Sequence, residues 1–258
     1  MEEFLLVSII QAGLAWENKK ENLQRFDKLF KDIGKTDLII FPEMFTTGFT
    51  MKVRKFHEVM DGETVRWMKD LSKEKQAAVT GSIIIKENGK FFNRLLWITP
   101  DGQIQYYDKR HLYTMGGEHI RFTAGTKKLI VNWKGWRICP LICYDLRFPV
   151  WSRNNDDYDL LIYVANWPSA RHHVWETLLV ARAVENQSYL VGVNRVGSDG
   201  MNLEYLGDST MVDALGNAYF LGGSPMVKTF SLSYSELIYF RKKFPLLPDG
   251  DSFTIDTN

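Results

Sequence analysis

Apolar residues recur along this chain at two spacings, and the alternation between them sets out its architecture. Residues 4–11 form a short apolar run of strand type, and residues 18–33 carry Leu23, Phe26, Phe30 and Ile33 at helical spacing, with Gly34 as a stop. A strand at 37–41 and a helix around 64–75 follow. Strands near 78–85 and 91–99 come next, joined by the hairpin dipeptide Asn88-Gly89. Residues 104–108 read as another strand. The second half repeats the theme: a strand at 136–143, a short helix near 149–154, a strand at 159–164, a long helix at 170–187 and a strand at 189–194. Residues 204–230 read as antiparallel strands with a Leu215-Gly216-Asn217 turn, and a last helix lies near 234–243. Mixed α and β alternation with hairpins predicts an α/β protein of two sheets covered by helices, rather than one parallel wind. No repeat, low-complexity tract or Pro/Gly-rich linker divides residues 1–258, so a single domain is expected.

Three of the predicted strands end in reactive residues. The run 138–142 leads directly into Cys143-Tyr144-Asp145-Leu146-Arg147-Phe148-Pro149, which puts Cys143 on the turn leaving a strand. A thiol there can face a cleft and act as a nucleophile, whereas one in mid-strand is inert packing. The run 38–41 stops at Pro42 and delivers Glu43, and the alternating strand 104–108 delivers Lys109. Each has an ordinary reading: Cys143 as a packed thiol, Glu43 as a solvated strand-end charge, Lys109 as an edge-strand gatekeeper. Strand ends of a layered α/β fold converge on one crevice, however, and the order Glu, Lys, Cys supplies a base, a cation and a nucleophile together.

The motifs around these residues resemble the nitrilase superfamily, the carbon–nitrogen hydrolases with a Glu-Lys-Cys triad. They are FPEMFTTGF around Glu43, YDKRHL around Lys109, GGEHIRFTAG around Glu118, ICYDLRFP around Cys143, ANWPSAR from Ala165 and ARAVENQSYLVGVNRVG from Ala181. Within the superfamily, CYDLRFPVWSRN and FRKKFPLLPDGDSF are most similar to the bacterial omega-amidases, or 2-oxoglutaramate amidases. The resemblance implies a four-layer α-β-β-α sandwich, commonly a homodimer, and hydrolysis of a small amide such as 2-oxoglutaramate through a thioester on Cys143. It implies Glu43 as the base and Lys109 with the Tyr144 backbone N–H as oxyanion stabilisers. Glu118 would orient substrate and Lys109. Deaminated-glutathione amidases share YDLRFP and are the nearest enzymatic alternative; a catalytically silent scaffold is the non-enzymatic one. Arg147 would bind a substrate carboxylate or pair with Glu185 or another buried acid, and Tyr144 and Trp167 would line the pocket. Arg182 and Glu185, three residues apart on a helix, read as structural.

Composition narrows the partners. A formal net charge of +1 gives no electrostatic case for nucleic acid or an anionic membrane. No apolar stretch approaches the roughly 20 residues of a membrane span, and the acidic start Met1-Glu2-Glu3 with its short apolar run is unlike a signal peptide. A cytoplasmic location is therefore expected. Aromatic residues at 14% are abundant enough to fill a large core or a subunit interface. The two cysteines, Cys139 and Cys143, would lie about 13 Å apart on one strand, beyond disulfide reach. Cys139 reads as core. The histidines lack HExxH spacing; His172 and His173 point to different helix faces, and His173 with Glu176 reads as a surface polar pair. Neither metal nor cofactor is expected.

Overall fold

The computed structural model describes residues 3–30 and 33–256. Its first half comprises β1 (Phe4–Gln11), α1 (Lys19–Leu29), β2 (Leu38–Ile40), α2 (Val53–Phe56), α3 (Glu63–Lys75), β3 (Ala78–Glu87), β4 (Lys90–Ile98), β5 (Ile104–Asp108) and α4 (Glu118–Arg121). The second comprises β6 (Val131–Trp133), β7 (Trp136–Ile142), α5 (Pro149–Ser152), β8 (Leu160–Ala165), α6 (His172–Glu185) and β9 (Tyr189–Asn194). After these come β10 (Val196–Ser198), β11 (Glu204–Leu206), β12 (Thr210–Val212), β13 (Ala218–Phe220), β14 (Met226–Ser233) and α7 (Tyr234–Lys243).

The strands form two large sheets, ordered β14-β1-β2-β3-β4-β5 and β13-β12-β9-β8-β7-β6. At the centre of each, three strands run parallel: β1, β2 and β3 in the first, β7, β8 and β9 in the second. Because β4 reverses direction and β5 reverses it again, β5 runs the same way as β2 and β3. The carboxyl ends of β2 and β5 thus open on one edge of their sheet, which is where Glu43 and Lys109 leave it.

Alternation along the strands sorts the core. Val7, Ile9, Leu38 and Ile40 face the second sheet and pack with Ile138, Leu160 and Ile162. Ile10 and Ile39, of opposite parity, point the other way and meet Phe26 of α1 and Met68 of α3. Trp175 and Leu179 of α6 cover β9 so closely that a Cβ on Gly192 would lie 2.8 Å from Leu179 Cδ1. The order of layers is helix, sheet, sheet, helix. Each buried Leu or Ile of this kind contributes about 1.5–3 kcal/mol, so the layers hold by area rather than by ion pairs.

Local chemistry sets the element ends. The Asn18 side chain caps α1 by accepting from the Glu21 N–H at 3.2 Å. α1 closes at Leu29, earlier than the apolar spacing suggested; residues 31 and 32 of that expected helix lie outside the described residues. The β3–β4 hairpin turns on Asn88 and Gly89, both left-handed, as predicted. The long helix begins at His172 because a 3-10 turn, Ser169–Arg171, follows Pro168. Residues 204–230 do contain antiparallel strands, but they divide: β12 and β13 extend the second sheet, while β14 returns to pair with β1 of the first.

Candidate active site

Cys143 is the first residue after β7, and its backbone has φ of 43°, in the left-handed region. A side chain held on such a turn projects out of the sheet instead of along it, and so reaches a cleft. The turn is fastened by Asp145, fully buried, whose carboxylate accepts from Ile142 N (3.0 Å), Tyr107 OH (2.7 Å), His111 N (2.9 Å) and His111 Nδ1 (2.8 Å). Tyr107 and His111 flank Lys109 in sequence. One carboxylate therefore ties the cysteine turn of the second sheet to the lysine end of β5 in the first.

Lys109 is buried, and its Nζ donates to Glu43 Oε1 at 2.8 Å and to Glu118 Oε2 at 2.9 Å. Asn93, in mid-β4, donates one amide group to both carboxylates, at 2.9 Å to Glu43 and 3.0 Å to Glu118. Asn166 follows β8 and approaches from the other sheet, its N–H donating to Glu43 Oε2 at 2.9 Å. Glu118 is fully buried at the start of α4, where it also accepts from Tyr113 N at 2.6 Å. Its loop flanked by Gly116 and Gly117 does not leave it on the surface.

These charges set one another's protonation. Burial alone would lower the Lys109 ammonium's pKa, but Glu118 and Glu43 reverse this and hold it well above its ordinary range. Burial pushes the Glu118 carboxyl up, against the pull of Lys109. Burial, and then the negative charge of Glu43, push the Cys143 thiol well above the usual cysteine range, with Lys109 opposing. A thiol in such surroundings gives up its proton only with the help of a base.

Cys143, Glu43 and Lys109 open on a pocket of about 300 Å³ that Tyr144, Arg147 and Trp167 also line. The Arg147 guanidinium lies 5.1 Å from the Trp167 ring centre. It does not pair with Glu185, because Arg182 does so at 3.1 Å, while another Arg182 nitrogen donates to Leu146 O at 2.8 Å and buttresses the turn after Cys143. Cys139 is fully buried, and both cysteines are free thiols. The histidine pairing differs from expectation. His172, not His173, shares a face with Glu176 (3.4 Å) and also meets Asp208 (3.1 Å), since residues four apart align on a helix. The ligand atoms of these three lie within 4.8 Å of one another, a closeness the two carboxylates' hold on the imidazole explains.

Asn93, Asp145 and Asn166 belong to the site and were not singled out from the sequence. Asn166 carries the same signal as Glu43, a polar residue directly after an apolar strand. Asn93 with Arg94 is a polar interruption in an otherwise apolar strand.

The sequence of the carbon–nitrogen hydrolase family matches residues 6–220. This chain belongs to that family. It is 44% identical to the omega-amidase YafV of Yersinia enterocolitica over 253 residues, covering 97% of this chain and 98% of that one. It is 29% identical to the 2-oxoglutaramate amidase of Bacillus subtilis, covering 94% and 96% of the two chains. Among solved structures it is similar to XC1258 of Xanthomonas campestris, a CN-hydrolase superfamily protein with an arsenic adduct in its active site. That similarity is 45% identity and a TM-score of 0.96, over 99% of this chain and all of the other. The sandwich expected from the sequence is the fold observed.

Proposed function

We propose that this carbon–nitrogen hydrolase is an omega-amidase that converts 2-oxoglutaramate, or a close dicarboxylic monoamide, to the dicarboxylate and ammonia. Glu43 takes the proton of the Cys143 thiol as sulfur attacks the amide carbon. The oxyanion that forms meets the Lys109 ammonium and the N–H of Tyr144; one such donor is worth about 3 kcal/mol in the transition state. Glu43 then returns the proton to departing ammonia, leaving a thioester. Water, activated by the same carboxylate, releases the acid and restores the thiol. Glu118 holds Lys109 charged and in place, Arg147 receives the distal carboxylate, and Tyr144 and Trp167 shape the pocket.

The observation that carries the reading is the buried Glu43–Lys109–Glu118 cluster beside a thiol on a left-handed turn, with Glu43, Lys109 and Cys143 opening on one pocket. A scaffold protein has no use for a lysine buried between two carboxylates, since such clusters cost desolvation. The reading treats residues 1–258 as one domain, working in the cytoplasm as a homodimer. No helix among the described residues is long and apolar enough to cross a membrane. Exposed Leu215 and Tyr239, which flank one shallow depression, favour a second copy as partner.

Ammonia release from a panel of amides tests the substrate. The expected order of kcat/KM is 2-oxoglutaramate, then glutamine, with hexanamide and an aliphatic nitrile far behind. Faster turnover of hexanamide or the nitrile would overturn carboxylate recognition and leave only the general carbon–nitrogen hydrolase.

A further inference from the structure

Two guanidinium groups face the pocket that holds Cys143, and sequence reasoning weighed only one. Arg147 lies over Trp167, and Arg171, the residue before α6, lies over Tyr113 with its guanidinium carbon 5.5 Å from the ring centre. Both line the pocket, as does Glu43, the acidic residue there, whose carboxylate is engaged by Lys109. Among the described residues no carboxylate lies within ion-pair distance of Arg147 or Arg171. Phe49, Met51 and Trp167 line the same pocket with apolar surface.

The two arginines are carried on one connected wall. Trp167 Nε1 donates to the backbone carbonyl of Arg171 at 2.8 Å, so the ring beneath one arginine is anchored to the main chain of the other. Tyr113, beneath Arg171, donates its backbone N–H to Glu118, which holds Lys109. A guanidinium stacked on a ring uses its face and leaves its in-plane N–H groups free. Two such groups in a small, largely apolar pocket, without acidic partners, form a receptor for an anion.

We infer that Arg171 is the second arm of an anion clamp, sharing with Arg147 the carboxylate and adjacent 2-oxo group of the substrate while its amide meets Cys143. This rests on the omega-amidase reading and adds to it a specificity residue. The clamp predicts a preference for a 2-oxo acid over its 2-amino counterpart, because an α-ammonium would stand beside two fixed cations. A neutral amide makes neither of these charge-assisted contacts and binds more weakly for that reason.

The test compares Arg171→Met with the wild type in steady-state hydrolysis of 2-oxoglutaramate and hexanamide, with glutarate as competitive inhibitor and melting temperature as fold control. The clamp predicts a KM for 2-oxoglutaramate raised about tenfold or more, the loss expected for one charge-assisted contact. The kcat should stay within about threefold, because the arginine holds ground state and transition state alike. KM for hexanamide should not change, and glutarate inhibition should weaken in step. Equal changes for both substrates, or none, in a protein that melts normally would overturn the clamp. If Arg171→Met does not fold, Arg171→Lys decides: charge without the fork should raise KM for 2-oxoglutaramate alone, and an unchanged KM overturns the inference. Failure of the wild type to hydrolyse 2-oxoglutaramate would instead overturn the substrate reading. Glutarate inhibition of whichever amide is hydrolysed still tests the clamp, which fails if Arg171→Met leaves that inhibition unaltered.

Discussion

Cys143 owes its properties to groups from both sheets. Burial and Glu43 push its thiol up, and Lys109 pulls it down. The sign of each effect can be tested with iodoacetamide, which reacts with the thiolate and needs no catalytic base. Glu43→Gln removes a negative neighbour, so its alkylation midpoint should move to lower pH even as turnover falls at least ~100-fold for want of a base. Lys109→Ala removes the opposing cation and should move the midpoint to higher pH, with a comparable loss of turnover. Movement of both midpoints in one direction would contradict the assignments. Cys139, pushed up to about 12 by burial, should stay unlabelled in the native protein. Glu43, Lys109 and Cys143 were legible in the sequence because each follows a strand of recognisable pattern, and Glu118 because its motif resembles a family. Asn93 and Asp145 were not, since a buried polar residue gives no sign of which distant groups it will satisfy. The Arg182–Glu185 pair was legible, because helical spacing alone brings it together.

Strand ends are only as exact as the loops that pack on them. Gly125 shows this: its N–H donates to Lys109 O at 2.9 Å, and a Cβ there would lie 2.1 Å from the Asp108 carbonyl oxygen. The loop cannot retreat without losing that bond, so Gly125→Ala must shift Asp108 and with it Lys109. A displacement approaching 1 Å at a catalytic group costs up to about 100-fold in rate, and overpacking of this kind costs about 1–3 kcal/mol in stability. Gly125→Ala should therefore lower kcat by well over tenfold, with a lower melting temperature, measured by steady-state assay and thermal denaturation. Wild-type kcat with an unchanged melting point would show that the loop does not position Lys109. The types of the longer elements were legible, but the short α2, α4 and β6 were not, and ends were less so than types. The strand drawn to 143 closes one residue sooner, at Ile142, leaving Cys143 on the turn expected of it, and Gln187, assigned to the long helix, is left-handed at φ of 42°. Apolar periodicity continues past the point where the backbone turns, so it overshoots both.

Two sheets and their helical covers follow from alternation and helical stripes. The partnership of β14 with β1 does not, because more than two hundred residues separate paired positions such as Leu5 and Leu232. Local periodicity says which residues are buried, not which distant strand will cover them. The same limit applies to assembly: exposed Leu215 and Tyr239 mark a face without naming its occupant. The homodimer reading predicts a solution mass near twice the 30.0 kDa of one chain by light scattering, and Tyr239→Glu should shift it toward the monomer. A wild-type mass of one chain at micromolar concentration would contradict it.

The central claim is that amide hydrolysis passes through a thioester on Cys143, and acid-quenched turnover followed by peptide mass spectrometry tests it most directly. During turnover of 2-oxoglutaramate, the peptide carrying Cys143 should gain the mass of the substrate less ammonia. The gain should vanish in Cys143→Ala, which should stay folded and inactive. Normal turnover by folded Cys143→Ala, or an acyl group found on any other residue, would contradict the account.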